Sequence, residues 1–331
     1  MPDAREFVAD TEQFRGELVA HCYRMLGSLA DAEDLVQDTY LRAWRAYDRF
    51  EGRSSVRSWL YRIATNVCLT ALRGRGRRAL PSGVGAPEPD PNAPLAAAQP
   101  DLLWLQPIPT SLVDPAGPAA ADPGAIVAAR EGVRLALVAS LQYLPPRQRA
   151  VLILRDVLAF SAAEVAELLD TSSTAVKSTL QRARARLHEL SPTADDVTEP
   201  AEPELRAVLE RYITAFENAD TAALQQLLRA DAILEGTPSP TWFAGRRTCI
   251  PYLRDRVLGS PGDWRLVPTS ANAQPAAVGY YRDAAGEYRA FGVVVLTVTS
   301  AGIARITVFG DPALVSVFGH PPALTPVARR V

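Results

Sequence analysis

A basic stretch near the middle of the chain, LDTSSTAVKSTLQRARAR at 169–186, places one lysine and three arginines on a predicted helix. A second predicted helix, SAAEVAELLD, precedes it after a short turn, which is the arrangement of a helix-turn-helix. In that motif the second helix enters the major groove of DNA, where its first polar residues contact base edges and later basic residues contact phosphates. The alternative is a solvated basic helix in a purely structural bundle. The candidate DNA-contacting residues are Ser172, Ser173, Thr174, Lys177, Ser178, Arg182 and Arg184.

Local signals support both helices of this motif. Ser161 is a suitable N-cap for the first helix, and Ser172 or Ser173 for the second. The apolar residues that we expect to form the small core between the two helices are Val165, Leu168, Val176 and Leu180.

A second stretch, RAYDRFEGRSSVRSWLYRIATN at 45–66, mixes aromatic and basic residues. Unstacked bases bind to exposed aromatic faces inside a positively charged groove, and each stack contributes roughly 1–3 kcal/mol. The alternative is that Trp59 and Tyr61 are core residues of a small helical domain, whereas Tyr47 and Phe50 lie beside a glycine-containing loop and are better candidates for exposure. The residues that could supply stacking and charge are Tyr47, Phe50, Trp59 and Tyr61 with Arg53, Arg57 and Arg62.

An acidic predicted helix, DAEDLVQDTYLRAW, begins at Asp31. Asp31 is a plausible N-cap, and the apolar face is predicted to contain Leu35, Leu41 and Trp44. Asp34 and Asp38 lie one turn apart outside that face. They indicate either a solvated surface or an electrostatic docking site for a basic partner helix.

Composition excludes several classes of function. Three widely spaced cysteines argue against a disulfide framework or a cysteine-rich zinc site and fit a reducing cytosol, and three histidines make a histidine-based metal centre improbable. No run of about 18 apolar residues could span a bilayer. The N-terminus is acidic and does not have the pattern of a secretory signal. We therefore expect no metal, no cofactor and no membrane partner.

Charge and composition divide the chain into blocks. Residues 80–125 are rich in proline, glycine and alanine and carry five acids and no basic residue, which predicts an extended and mostly disordered linker. Helical blocks precede and follow it, and the second of these, 126–190, has nine basic residues against six acids. The C-terminal block, 204–331, has helices first and then three strand-like runs, which predicts an α+β fold with an antiparallel meander.

The two helical blocks together resemble the extracytoplasmic-function (ECF) sigma factors of bacterial RNA polymerase. The resemblance is carried by DAEDLVQDTYLRAWRAYDRFEGRSSVRSWLYRIATNVCLTALR and LPPRQRAVLILRDVLAFSAAEVAELLDTSSTAVKSTLQRARARL. It implies a first all-α sigma domain at 7–79, the linker at 80–125 running toward the active-site cleft of polymerase, and a second, helix-turn-helix sigma domain at 126–190 for the −35 element. The partners implied are promoter DNA and core RNA polymerase, through its β′ clamp and its β subunit.

The resemblance also implies roles for residues of the first domain. The positions matching the polymerase-docking helix are Asp31, Glu33, Asp34, Asp38 and Trp44. The positions matching the segment that captures the −10 element are Tyr47, Phe50, Arg53, Ser54, Arg57, Trp59, Arg62 and Asn66.

The C-terminal block resembles a SnoaL-like domain, a cone made of helices and a curved sheet, as in the ECF subgroup with such a fusion. The segment PTWFAGRRTCIPYL carries this resemblance, and Trp242 and Tyr252 are its candidate pocket residues. The resemblance implies regulation in cis, with a small ligand as a candidate partner. No pair of acidic or histidine residues has a spacing diagnostic of acid–base catalysis, so we expect no enzyme activity. The alternative is a small-molecule-binding or enzymatic SnoaL-like protein with a DNA-binding helical half.

Overall fold

The structure is a computed structural model of the chain. It describes residues 4–52, 54–113, 131–190 and 201–324. The chain forms two compact units, Met1–Arg78 with Thr110–Ala194, and Ala79–Pro109 with Asp195–Val331. Of the predicted sites and segments, Arg53 and the linker portion 114–125 lie outside the described residues.

The N-terminal part of the first unit is helical, as predicted. Its described α-helices are α1 Ala4–Thr11, α2 Arg15–Leu26, α3 Leu29–Ala46 and α4 Val56–Ala71. Gly27 ends α2 in the left-handed region, with φ at +70°, which glycine adopts without steric cost. Ser55 caps α4 by accepting a hydrogen bond from the Ser58 amide.

The acidic helix α3 begins earlier than the sequence predicted, and one residue of its predicted apolar face is exposed. Its N-cap is Ser28, which accepts a hydrogen bond from the Asp31 amide, so the prediction of Asp31 as the cap was wrong. Of the predicted apolar face, Leu35 and Trp44 are half-buried, but Leu41 is 56% exposed, so its inclusion was wrong. Small residues make up much of the buried face and allow the neighbouring helices to approach closely. The buried residues of α3 are Leu29, Ala32, Val36, Thr39 and Ala43.

The second part of the first unit holds the predicted helix-turn-helix. Its described α-helices are α5 Leu135–Leu141, α6 Pro146–Leu152, α7 Ala162–Leu168 and α8 Ser173–Leu190. A π-helical segment, Ile153–Val157, extends α6. Helix α5 ends at Leu141, and Pro146 opens the next helix.

Two buried arginines connect the two helical parts within this unit. Arg149 donates to the side-chain oxygen of Gln142 at 2.8 Å and also to the Met25 carbonyl, while Arg24 donates to the Gly132 carbonyl at 3.1 Å. Burial lowers the pKa of each arginine to about 10, so both remain charged at neutral pH. Both charges are stabilised by carbonyl dipoles, which makes this contact polar and specific.

The C-terminal part of the second unit, called the cone below, contains the helices and the sheet that the sequence predicted for the C-terminal block. Its described α-helices are α9 Glu202–Glu217, α10 Thr221–Leu227, α11 Arg246–Leu253 and α12 Pro312–Val317. The main strands are β3 Leu228–Thr237, β4 Trp242–Ala244, β5 Trp264–Ala271, β6 Gln274–Arg282, β7 Tyr288–Thr299 and β8 Gly302–Phe309. A short β9, Ala323–Leu324, pairs with β7.

The strand order is β4-β3-β8-β7-β6-β5. The predicted antiparallel meander accounts for β5 to β8, but β3 pairs with β8 in parallel, so that prediction was incomplete. The inner face of the sheet packs against α9 and α11 in one apolar core that includes Tyr212, Leu234, Leu296 and Ile306. Gly292 allows β7 to pass close to β8, since a Cβ there would lie 1.9 Å from the Phe309 carbonyl oxygen.

Residues 79–109 belong to the same unit as the cone, which corrects the prediction of a mostly disordered linker over this portion. Two short strands, β1 Arg78–Ala79 and β2 Leu103–Trp104, pair with each other. The apolar residues of the segment explain its order, because Leu105 and Ile108 are 1% and 0% exposed. Burial of such side chains supplies the free energy that a proline- and alanine-rich composition alone does not.

Candidate nucleic-acid and polymerase interface

The helix-turn-helix is built from the local signals that the sequence carries. Ser161 caps α7 in a capping box with Glu164, and the Ser172 hydroxyl accepts a hydrogen bond from the Ala175 amide at the start of α8. Asp170 makes the turn with φ at +50°, a left-handed conformation that aspartate tolerates. The predicted core residues are all buried: Val165, Leu168, Val176 and Leu180.

The candidate DNA face of α8 is open to solvent. Six of the seven predicted residues are exposed, and Ser173 is half-buried. The exposed residues are Ser172, Thr174, Lys177, Ser178, Arg182 and Arg184. Hydroxyls and one ammonium therefore lie at the start of the helix, with guanidinium groups further along, as base reading followed by phosphate contact requires.

One arginine of this face already has an acidic partner. Arg184 donates from Nε and from a terminal nitrogen to the two carboxylate oxygens of Asp156, at 2.9 and 2.7 Å. This fork geometry is also the one that a phosphate would occupy. The ion pair raises the pKa of Arg184 further, so its charge is permanent.

The aromatic residues expected at the −10 site form a half-buried cluster beside the 51–55 loop. Trp59 lies 4.8 Å from Phe50 and 6.3 Å from Tyr47, measured between ring centroids. The Tyr47 hydroxyl donates to Asp10 at 2.6 Å. Each ring is therefore partly packed and partly accessible, whereas Tyr61 is 0% exposed and is a core residue.

The polar candidates for the −10 element differ in their surroundings: some are exposed to solvent, and Arg57 contacts other side chains. Arg62 and Asn66 are exposed one turn apart on α4, and Ser54 is exposed in the loop before it. Arg57 instead donates to Glu17 at 2.8 Å and lies 5.0 Å above the Tyr61 ring. Glu17 was not identified from sequence, because its partner follows it by 40 residues.

The polymerase-docking candidates on α3 differ in their surroundings. Asp31 forms ion pairs with Arg75 and Arg78 at 3.0 and 2.7 Å, so it anchors the end of the first domain. Asp38 pairs with Arg42 one turn along, and Asp34 is exposed. Glu33 is half-buried, and Trp44 packs edge-on against Phe7 at 5.2 Å in a groove that Leu41 also lines.

The segment 79–109 is attached to the cone by hydrogen bonds that the sequence did not reveal. The buried carboxylate of Glu235 accepts from the Ser82 amide at 2.9 Å and from Arg305 at 2.6 Å. Trp242, predicted to line a pocket, donates its indole N–H to the Gly85 carbonyl at 2.8 Å. It is not among the described residues that line the cavity inside the cone, which is described next. The Ile108 amide donates to the Asn272 side chain at 3.1 Å.

The cone encloses a cavity of about 380 Å³. Tyr252, the other predicted pocket residue, lines it and stacks on Phe243 at 4.3 Å. Phe243 lines the cavity as well; it follows Trp242 on β4, and successive side chains of a strand point to opposite faces. Across the described ranges, no cluster of histidine, cysteine or acidic residues could hold a metal ion. No described helix is long and apolar enough to cross a membrane.

Two family matches coincide with the two helical parts of the first unit. Sigma-70 region 2 matches residues 11–78, and Sigma-70, region 4 matches residues 134–187. The first match contains the acidic helix and the aromatic cluster, and the second contains the helix-turn-helix. The fold and these two regions together define a sigma factor of RNA polymerase.

Relatives narrow this class further. The ECF RNA polymerase sigma factor SigG of Mycobacterium tuberculosis is 49% identical over 321 residues, which cover 96% of this chain and 85% of that protein. SigJ of the same species is 31% identical over 230 residues, covering 69% of this chain and 64% of that protein. The chain belongs to the ECF family of RNA polymerase sigma factors, and its function is promoter-directed initiation of transcription.

A solved structure agrees with the fold of both units. The crystal structure of the Mycobacterium tuberculosis ECF sigma factor SigJ has a TM-score of 0.60 and 23% identity, and the match covers 95% of this chain and 99% of that one. The similarity therefore extends over the sigma regions and the C-terminal cone.

Proposed function

We propose that the exposed face of α8 reads the −35 element of the promoter. Lys177 and Ser178 would contact base edges and Arg182 the phosphate backbone, and Arg184 would add a phosphate contact when it is released from Asp156. The observation that carries this proposal is the solvent exposure of these side chains on a capped helix-turn-helix. If this face of α8 were buried, it could not contact DNA.

The −10 element is assigned to the aromatic cluster and the neighbouring end of α4. Tyr47, Phe50 and Trp59 would stack on unpaired bases, and Arg62 and Asn66 would hold the separated strand. Stacking and hydrogen bonds to flipped bases offset the loss of duplex stacking, which is how binding assists melting. Half-burial of the three rings supports this role, since each is preorganised and still accessible.

The acidic face of α3 is assigned to the β′ clamp of core polymerase, with the β subunit as a further contact. Asp34 provides exposed negative charge, Asp38 provides a half-buried carboxylate paired with Arg42, and Trp44 lines a neighbouring apolar groove. The protein would work in the cytoplasm together with polymerase and would bind rather than catalyse.

The C-terminal cone is assigned a regulatory role in cis, including the binding of a small ligand. This regulatory role is supported by segment 79–109, which lies between the two sigma regions in sequence and is hydrogen-bonded to the cone. A cavity in the same cone favours ligand sensing as a second function of the chain.

Run-off transcription with purified core polymerase tests the −35 assignment. Lys177→Ala should lower the promoter-dependent transcript about fivefold or more, because a lost base contact costs roughly 1–3 kcal/mol, while co-purification with core polymerase stays unchanged. Arg206→Ala, an exposed basic residue on α9, is the matched control and should have no effect. An unchanged transcript, or loss of polymerase binding by the Lys177 variant, would place that side chain in another role.

The same assay tests regulation in cis. A chain that ends at Thr198 lacks the cone and should give a promoter-dependent transcript level different from that of the whole chain. Equal levels from both chains at equal polymerase occupancy would refute a regulatory role for the cone.

A further inference from the structure

Two buried thiols touch in the helical part that matches Sigma-70 region 2. Cys22 on α2 and Cys68 on α4 are both 0% exposed, and the Cys68 thiol donates to the Cys22 sulfur at 3.6 Å. A disulfide bond is about 2.0 Å long, so the two sulfurs need to approach each other by only about 1.6 Å to become bonded. Rotation of the side chains about their Cα–Cβ bonds moves the sulfurs over distances of this size. The two helices therefore hold the thiols close to the geometry of a covalent bond.

The third cysteine of the chain has different surroundings. Cys249 lies on α11 of the cone and is also 0% exposed. Its thiol contacts backbone carbonyls rather than a second sulfur, since it donates to the carbonyls of Ala232 and Phe243 at 3.5 and 3.7 Å. Cys249 is therefore an internal control, because it shares the burial of the other two cysteines and has no thiol to bond with.

A buried guanidinium lies beside the thiol pair. Arg149 is 3% exposed and donates to the carbonyl of Met25, which follows Cys22 by less than one helical turn. Its Nε–H has no hydrogen-bond partner among the described residues, so part of its donor capacity is unused. The hydrogen bond to Cys22 and burial raise the pKa of Cys68, while the charge of Arg149 opposes this shift and stabilises the Cys68 thiolate. This charge favours Cys68 as the first thiol to react.

We propose that Cys22 and Cys68 are a reversible redox site: hydrogen peroxide converts the two thiols to a disulfide that joins α2 to α4, and a thiol reductant restores them. The bond stabilises these helices mainly by restricting the unfolded chain, because the two cysteines are 46 residues apart in sequence. This inference goes beyond the proposed function, since it involves neither the DNA contacts of α8 nor the cone.

The oxidation has two steps. The Cys68 thiolate attacks one oxygen of hydrogen peroxide, so that an S–O bond forms, the O–O bond breaks, and the leaving hydroxide takes up the proton of Cys68 to give water. The Cys22 sulfur then attacks the Cys68 sulfur, so that the S–S bond forms and the oxygen leaves as a second water with the proton of Cys22. In total, the two thiols lose two electrons and two protons, and one peroxide is reduced to two waters.

Burial and proximity act on different steps. Since both sulfurs are buried, peroxide reaches them through local opening of the helices, and the first step is slower than at an exposed thiol. The second step is intramolecular between sulfurs that are already in contact, so it is fast. Capture by Cys22 therefore precedes further oxidation of Cys68 to a sulfinic acid, which a thiol reductant could not reverse.

Thiol counting on the folded, full-length chain tests the bond itself. The chain is treated with hydrogen peroxide, unfolded, alkylated at its remaining thiols and weighed by mass spectrometry. We expect one alkylated cysteine, Cys249, and a loss of about 2 Da for the two hydrogens removed; dithiothreitol should restore all three thiols. Cys249→Ala should still lose both of its thiols, whereas Cys22→Ala and Cys68→Ala should form no disulfide.

The effect of the bond on the helices has its own measurement. Oxidation should raise the melting temperature of the first unit by roughly 4–16 °C, the usual range for one disulfide in a unit of this size. Hydrogen exchange of the α2 and α4 amides should slow in the oxidised chain, while exchange of the cone amides should not change. Peroxide-treated Cys22→Ala is the matched control and should show neither effect.

Four results would overturn the proposal. They are retention of all three thiols by the folded chain under conditions that oxidise the unfolded chain, products that gain oxygen without forming a disulfide, a disulfide that involves Cys249 or a second chain, and unchanged exchange of the α2 and α4 amides after oxidation. If an alanine variant fails to fold, peptide mapping of the oxidised unaltered chain decides independently, because it identifies the linked peptides directly.

Discussion

Arg184 is held by an acidic residue in the geometry that a DNA phosphate would require. Both bonds to Asp156 are short, and the arginine side chain is 61% exposed while that of Asp156 is 28% exposed. An ion pair this open to water contributes only about 0.2–1 kcal/mol. Asp156→Asn should therefore free Arg184 for the phosphate backbone and tighten promoter binding by about 1.4- to 5-fold.

The salt dependence of binding separates this mechanism from a general loss of negative charge. One additional phosphate contact makes the slope of log K against log[salt] more negative by about 0.9. We expect that change for Asp156→Asn in the holoenzyme, measured by fluorescence anisotropy with a promoter fragment at several salt concentrations. In an Arg184→Ala background the same substitution should leave the slope unchanged. A gain in affinity and slope that persists undiminished without Arg184 would refute the reasoning.

Three further predictions concern the domain core, the polymerase contact and the attached segment. Burial lowers the pKa of His21 from 6.5 to about 3, so as pH decreases the unfolded state takes up the proton before the folded state does. Between pH 6.5 and pH 3 the free energy of unfolding should therefore fall by ~1.4 kcal/mol for each unit by which pH decreases, and His21→Gln should flatten this slope in denaturant titrations. Asp34→Arg with Asp38→Arg should weaken co-purification with core polymerase on the order of 100-fold by like-charge contact, and Glu204→Arg on the cone should not; equal retention would exclude the docking role. Glu235→Gln should lower the free energy of unfolding of the cone by about 1.5–3 kcal/mol and speed hydrogen exchange of the Ser82 amide, which donates to this carboxylate. An unchanged exchange rate at Ser82 would contradict a stabilising role for that hydrogen bond.

Local sequence signals were sufficient for the helix-turn-helix. A serine at each N-cap and apolar residues at helical spacing are interactions between neighbours in the chain, so α7, α8 and their buried core could be predicted directly. The exposure of Lys177 and Arg182 followed from the same spacing, because the opposite face carries Val176 and Leu180.

Contacts between distant residues explain what the sequence did not reveal. Strand β3 was missed because ADAILEGT combines short apolar runs with acids, and its parallel partner β8 begins at Gly302, far along the chain. The Leu41 error has a related cause, since helical periodicity identified apolar residues without indicating that small residues would pack inward.

Segment 79–109 limits how promoter binding by the sigma regions and ligand binding by the cone could be coupled. Backbone groups of Ser82, Ala96 and Ile108 are hydrogen-bonded to the cone. Any role of the segment away from the cone requires these bonds to break, and each bond contributes about 0.5–1.5 kcal/mol, so their joint release costs several kcal/mol. A ligand changes this balance only by binding the attached and released states with different affinity. A ligand in the cone cavity would meet that condition through Leu95, which lines the cavity while the segment is attached to the cone.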